Sequence, residues 1–185
     1  EGAPRLSVPI EVRLDFDRES AHLQIGEART VLTEGQWSGW LPIRFDAGPL
    51  APAIDGICRA YLKEVRPAFH LYISPINADP RHSPLPIGVP DDFPAWLAER
   101  IGPYYTQGMA EETTARQAGV LDDAQTWAQM EIVLVEREAM LEVALEEFDR
   151  QGGFLFYYVS TSDLASHIFW DRDGEGRHGP LAEVY

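Results

Sequence analysis

The stretch from Asp122 to Gly153 constrains the fold of this chain more than any other part of the sequence. Its apolar residues recur at spacings of three, four and seven: Trp127, Met130, Leu134, Leu141, Leu145 and Phe148. Such spacing is typical of one face of an α-helix. Asp122 and Gln125 form a capping-box pattern at its start, and two glycines follow at its end. We therefore predict a long helix over 122–150, with its many glutamates on the solvated face.

Residues 1–75 have a different period. From Val8 to Phe16 apolar residues alternate with polar ones, which is typical of a β-strand with one buried face. Gly26 is predicted to form a turn or a bulge, and a hairpin is predicted around Arg66 and Pro67. Cys58 lies in a strand-like run and is predicted to be a buried structural thiol. We expect an antiparallel β-rich module with short connections.

The rest of the chain divides into a middle part and a final part. Residues 76–121 are predicted to be a proline-rich loop with short helices at 94–101 and 108–118. Residues 122–185 hold the long helix and then "FLFYYVS" (154–160), which is apolar on both faces like an interior strand of an α/β sheet. The fold class predicted is α+β: an antiparallel β-rich N-terminal module, then helices, then one core-type strand.

Charge and hydropathy limit the partners of the chain. Its 185 residues carry a formal net charge of −15. An acidic surface repels phosphate backbones, so we expect no nucleic-acid binding. No run approaches the roughly 20 apolar residues of a membrane span, so we expect no membrane partner. The ends of the sequence indicate an internal piece of a larger protein or a processed one.

The most informative polar motif follows the predicted interior strand. Ligands of α/β sheets bind beyond the carboxyl ends of the strands, which is where Asp163 lies. If 162–170 is helical, His167 lies one turn later on the same side. A carboxylate and an imidazole so placed can bind one divalent metal such as zinc, manganese or iron. Alternatively, Asp163 caps the helix and His167 only packs.

Other polar and aromatic residues are weaker candidates for a site. Asp79 and His82 in "NADPRHSP" and the adjacent Tyr104 and Tyr105 in "PYYTQGM" are candidate substrate-binding residues, although surface or packing roles are equally compatible with the pattern. The remaining histidines, His22, His70 and His178, are more simply structural or solvated.

The segment "FLFYYVSTSDLASHIFWDRD" resembles the strand and metal-ligand segment of the type I phosphodiesterase/nucleotide pyrophosphatase family, in the alkaline phosphatase superfamily. "FHLYISPINADPRHSP", "IGPYYTQGM" and the long acidic helix also resemble bacterial members that carry an extra inserted module. The resemblance covers 68–173 and is vague over 1–66. It implies a hydrolase in which two divalent ions, zinc or manganese, activate a threonine or serine nucleophile.

By this resemblance, Asp163 and His167 are two ligands of one metal, and only a partial site lies in this chain. No segment matches the nucleophile of the family, so we expect no catalytic residue here and no activity of the isolated chain. Its partners would be the remainder of the phosphatase domain and a phosphate-ester substrate. Loop 74–90 would shape substrate choice.

Two further expectations follow from the residues themselves. The chain can instead be a non-catalytic binding or scaffolding module in which Asp163 and His167 are structural. In either case the strand-like segment 154–160 is expected to adhere to other apolar surfaces, so the chain is expected to self-associate.

Overall fold

The computed structural model describes residues 6–49 and 51–169, and the chain forms two compact units, Glu1–Gln107 and Gly108–Tyr185. The strands are β1 (Ile10–Asp15), β2 (Ser20–Ile25), β3 (Ala28–Thr33), β4 (Gln36–Trp37), β5 (Leu41–Phe45), β6 (Ile54–Cys58), β7 (Ala60–Glu64), β8 (His70–Ile73) and β9 (Asn77–Ala78). The helices are α1 (Phe93–Ile101), α2 (Thr113–Gln117), α3 (Asp123–Gln151) and α4 (Ser160–Phe169). Antiparallel strands followed by helices confirm the predicted α+β class.

The first unit contains three antiparallel sheets of three strands each, in the orders β1-β2-β3, β4-β7-β8 and β5-β6-β9. The period of two predicted for this region is clearest in β2, where Ala21, Leu23 and Ile25 are buried and His22 faces outward. Leu32, Leu41, Ile43, Cys58 and Leu62 from later strands join the same core. A single apolar core therefore joins residues from all three sheets.

Two predicted turns of this unit are confirmed. Gly26 connects β2 to β3 with a φ of 59°, which favours glycine, and its N–H donates to the carbonyl oxygen of Pro9. The chain between Glu64 and His70 joins the antiparallel pair β7 and β8, so the hairpin around Arg66 and Pro67 forms as predicted.

The run "IDGICRAYL" was predicted as one strand, but it divides at Arg59 into β6 and β7 of two different sheets. Serine hydroxyls accept hydrogen bonds from the backbone at this point. Ser74 Oγ accepts from the N–H of Arg59 at 2.9 Å, and Ser38 Oγ accepts from the N–H of Ala60 at 2.8 Å. The N–H groups of Ser74 and Ser38 in turn donate to the carbonyl oxygens of Arg59 and Ala60, at 2.9 and 2.7 Å, so the backbone stays hydrogen-bonded where the chain changes sheets.

The proline-rich stretch is mostly irregular, but it contributes β9, which pairs with β6. A side chain on Gly56 would place its Cβ 2.7 Å from Ile76 Cγ2, so glycine is required for this close approach. The buried Asn77 Oδ1 accepts from the N–H groups of Thr106 and Gln107, at 3.0 and 3.1 Å. Asn77 thus holds the last residues of the first unit.

The predicted short and long helices are present in the structure. Helix α1 ends at Ile101, the last residue of the predicted range 94–101, and α2 is a short helix inside the predicted range 108–118. Helix α3 begins with the predicted capping box, in which Asp122 Oδ1 accepts from the N–H of Gln125 at 2.8 Å. Its apolar stripe is buried at Met130, but Leu145 and Phe148 near the end are exposed.

The prediction of a core strand over 154–160 is wrong for this structure. Residues 154–159 pair with no other strand in the described part of the chain, and Ser160 already belongs to α4. An interior strand needs neighbours at both edges and cover on both faces. Here only one side is covered: the Tyr157 hydroxyl donates to the carbonyl oxygen of Arg137 on α3 at 2.6 Å.

The side chains of 154–159 nevertheless alternate as they do along an extended chain. Phe154, Phe156 and Tyr158 are 90%, 76% and 61% exposed, whereas Leu155, Tyr157 and Val159 are half-buried. The segment therefore presents three aromatic rings to solvent. Within 6–49 and 51–169, no helix combines the length and the apolar character that crossing a membrane requires.

Candidate functional site

Helix α4 carries the two predicted metal ligands, and its start is held by Glu111. The Thr161 and Ser160 hydroxyls donate to Glu111 Oε1, at 2.8 and 3.2 Å. On the inner side of α4, Ala165 and Phe169 pack against Met130 of α3. This packing determines which face of the helix is open to solvent.

Asp163 and His167 lie on that open face. Residues 160–169 are helical, which meets the condition set for 162–169, and His167 Nε2 lies 3.5 Å from Asp163 Oδ1. The side chains of Asp163 and His167 are 55% and 76% exposed. The structure therefore brings the two predicted ligands together and leaves both accessible.

Tyr158 was not predicted to belong to this site, but its hydroxyl donates to Asp163 Oδ2 at 3.2 Å. The negative charge of Asp163 raises the pKa of Tyr158 above its ordinary value, so the phenol stays protonated and remains a donor. The hydrogen bond engages Oδ2, while Oδ1 faces His167. The alternation of the aromatic segment could have indicated this contact, because it places Tyr158 on the same exposed face as Phe156.

The two donor atoms, one oxygen and one nitrogen, and the distance between them fit two neighbouring ligands of one metal ion. In a tetrahedral zinc site with bonds near 2.0 Å, two ligand atoms lie about 3.3 Å apart. The 3.5 Å separation of Nε2 and Oδ1 is close to that value. Among the residues described, no group of three or more histidine, cysteine, aspartate or glutamate side chains is placed to hold a metal ion. Further ligands would have to come from outside the described residues.

Asp79 and His82 belong to the first unit, where they line a cleft with Arg81. Asp79 is buried, and its two carboxylate oxygens accept from Arg81 Nε at 2.9 Å and Nη2 at 2.7 Å. Burial alone would raise the pKa of Asp79, but the hydrogen bonds and charge of Arg81 outweigh it and lower that pKa. Sequence reasoning missed Arg81, although its position two residues after Asp79, across Pro80, is a turn signal.

Tyr104 and Tyr105 are both buried in the first unit. The Tyr104 hydroxyl donates to the carbonyl oxygen of Pro94 at 3.4 Å, and the Tyr105 ring contacts the Trp40 ring edge-on, with centroids 4.6 Å apart. These contacts give both rings a packing role. Their predicted role in substrate binding stays a prediction.

The remaining candidates are placed as follows. His22 and His70 lie in strands, as predicted, and His70 Nδ1 is 3.0 Å from Glu64 Oε2. Cys58 is fully buried, and burial raises the pKa of its thiol to about 11. This confirms the predicted burial of Cys58 and makes it a poor nucleophile. His178 lies outside the described residues.

Comparison with known proteins gives no relative of this chain: no protein-family model, no curated protein and no solved structure matches it.

Proposed function

We propose that this chain supplies part of the metal centre of a phosphoesterase, with Asp163 and His167 as two ligands of one divalent cation. The observation that carries the proposal is the 3.5 Å separation of two accessible donor atoms of different type on one helix face. Oxygen and nitrogen donors together suit zinc or manganese. The resemblance of 154–173 to phosphodiesterase sequences supplies the class of reaction.

Each residue of the site has a definite task under this proposal. Asp163 offers Oδ1 and His167 offers Nε2, while the Tyr158 hydroxyl keeps the Asp163 carboxylate oriented through Oδ2. Glu111 holds the first turn of α4, which fixes the direction of both ligands. A bound cation would stabilise negative charge on a transferring phosphoryl group. The nucleophile would come from outside this chain.

The segment 154–159 supports the same proposal. Its side chains alternate in exposure, and its aromatic face is open in the described structure. In a complete phosphatase domain, apolar side chains from the rest of the domain would bury this face. The proposed partner is therefore the remainder of such a domain, with a phosphodiester or nucleotide-like molecule as substrate.

A second candidate function is a non-catalytic binding module. The hydrogen bond from Tyr158 and the contact with His167 Nε2 satisfy Asp163 without a metal. In that case the pair would only stabilise the exposed face of α4, and such surface pairs contribute about 0.5 kcal/mol.

Hydrolysis of a chromogenic phosphodiester by the full-length protein, with zinc or manganese and then with a chelator, separates the two functions. We expect His167→Ala to lower the metal-dependent rate at least about 100-fold, because it removes a direct ligand. His70→Ala is the matched control, since His70 is also an exposed histidine next to a carboxylate, that of Glu64, but lies on β8. Full activity of His167→Ala would refute the ligand assignment and favour the binding module.

A further inference from the structure

A second possible site lies in the first unit, in a cleft of about 760 Å³. Its walls come from the turn between β2 and β3, from β5 and β6, and from the loop that follows β9. The charged residues that line it are Glu27, Arg44, Asp46, Asp55, Asp79 and Arg81. The cleft is open to solvent, and none of its charged residues has a role in the proposed metal centre.

The guanidinium of Arg81 has one of its two donor edges occupied. Nε and one hydrogen of Nη2 donate to Asp79, so three of the five N–H groups remain. These three lie on Nη1 and Nη2, the edge that can bind a second oxyanion with two parallel hydrogen bonds. In the part of the chain that the structure describes, Asp79 is the hydrogen-bonding partner of this side chain, which is 41% exposed.

Asp79 holds this guanidinium in a fixed direction. Its side chain is only 5% exposed, and besides the two side-chain hydrogen bonds Oδ1 accepts from the backbone N–H of Arg81 at 3.0 Å. The carbonyl oxygen of Asp79 also accepts from the N–H of His82, which closes the turn. An arginine that is already oriented loses little conformational freedom when a ligand binds.

The other charges of the cleft indicate what kind of anion fits. Arg44 Nη1 lies 3.4 Å from Asp55 Oδ1, so the charges of these two lining residues largely compensate each other. Glu27 and Asp46 carry negative charges that have no cationic partner in the ranges 6–49 and 51–169. These two carboxylates repel any anion in the cleft, and they repel a dianion such as phosphate more strongly than a single negative charge.

We propose that this cleft binds a small carboxylate-bearing molecule, with the carboxylate oxygens accepting from Nη1 and Nη2 of Arg81. Glu27 and Asp46 then favour a ligand that carries a positive group at its other end. The site is independent of Asp163 and His167, which belong to the second unit.

Nuclear magnetic resonance can test this on the whole chain. Acetate is titrated at constant ionic strength, and the backbone amide of Gly56, which lines the cleft, is followed. We expect a saturable shift of this amide, and a loss of at least about fivefold in apparent affinity for Arg81→Lys, which keeps the charge but not the two-pronged geometry. Arg18→Lys is the matched control, since Arg18 also pairs with an aspartate but lies outside the cleft.

Inorganic phosphate and chloride are titrated in parallel. Acetate binding that is tighter than phosphate binding, unchanged in Arg18→Lys and weakened at least about fivefold in Arg81→Lys, supports the proposal. Tighter binding of phosphate refutes the carboxylate assignment. Equal responses to all three anions, equal affinities of Arg81→Lys and the unaltered chain, or no saturable shift with acetate refute the site.

Discussion

At the scale of single residues, the pair Asp79 and Arg81 is the clearest case of a buried charge that is compensated locally. Burying a carboxylate costs free energy unless a cation and hydrogen bonds compensate it. Arg81 supplies both, through three hydrogen bonds that include its own backbone N–H. The sequence marks Asp79 as a polar residue of a loop, but the burial of Asp79 depends on β6 and β9, which the local pattern does not reveal.

The lowered pKa of Asp79 predicts a dependence of stability on pH. Because the folded-state pKa lies below the ordinary value of 3.8, ionised Asp79 stabilises the folded state above that value. This contribution is lost as the pH falls through the lowered pKa. We expect the free energy of unfolding to fall below about pH 4, with a smaller fall for Asp79→Asn.

Urea unfolding between pH 2 and pH 7, read by circular dichroism, measures this effect at about half-unit steps. At pH 7, Asp79→Asn should lose about 1.5–3 kcal/mol, because a charged hydrogen-bonded pair is broken. Asp17→Asn is the control, since Asp17 is exposed in the turn after β1. A pH profile of Asp79→Asn that superimposes on that of the unaltered chain would contradict the assignment.

At the scale of elements, the segment 154–159 is packed against the described structure on one side only. One side of the segment rests on α3 through Tyr157, and the other side, with Phe154 and Phe156, faces solvent. The two adjacent tyrosines therefore differ in their surroundings. Tyr157 donates to a backbone carbonyl, whereas Tyr158 donates to the exposed Asp163.

Replacing each tyrosine by phenylalanine separates these two roles. Tyr157→Phe should lower the free energy of unfolding by about 0.5–1.5 kcal/mol, because a partly buried hydrogen bond is lost. Tyr158→Phe should leave the free energy of unfolding nearly unchanged, since its hydrogen bond is exposed. Thermal or urea unfolding of both variants measures the difference. An equal loss in both would mean that the Tyr157 hydroxyl does not anchor the segment to α3.

The elements that sequence reasoning predicted correctly are those whose signals are local. The capping box of α3 and the turn at Gly26 depend on residues within a few positions, so their patterns could be recognised. The division between β6 and β7 depends on Ser38 and Ser74, which lie 21–22 and 15 positions away. A strand over 154–160 was predicted from its apolar character, but a strand forms only where another strand pairs with it.

The same distinction applies to the candidate sites. Asp163 and His167 are four positions apart on one helix, so their proximity could be predicted from the sequence. The proposed role of Arg81 could not be predicted, because Arg81 lines a cleft whose walls come from residues 26–56 as well as 79–82. Spacing in the sequence reveals pairs of residues that lie on one helix or strand, whereas the residues that line a cleft can be recognised only from the three-dimensional fold.

At the scale of the whole molecule, net charge and the aromatic segment have opposite effects on association. A formal charge of −15 keeps copies of the chain apart. The rings of Phe154, Phe156 and Tyr158 favour association, because contact between copies would remove them from water. Added salt screens the repulsion and leaves the apolar attraction.

We therefore expect the isolated chain to self-associate as protein and salt concentrations rise. Phe156→Ser should reduce the association, because it removes the central ring of the exposed face. Phe16→Ser is the control, since Phe16 is an exposed phenylalanine of the first unit. Sedimentation velocity at about 0.1 M and 0.5 M salt measures the effect. Equal association of Phe156→Ser and the unaltered chain would exclude the aromatic segment as the contact.

The two hydrogen bonds that Asn77 accepts from the backbone of Thr106 and Gln107 also decide where this chain can be divided by design. A shortened chain that ends just after Gln107 keeps both bonds, together with every strand of the first unit. One that ends before Thr106 leaves the buried Asn77 oxygen without these donors. The last residue of a first unit studied by itself should therefore be chosen so that the Asn77 side chain keeps both of its donors. The end of α1 is not a sufficient guide.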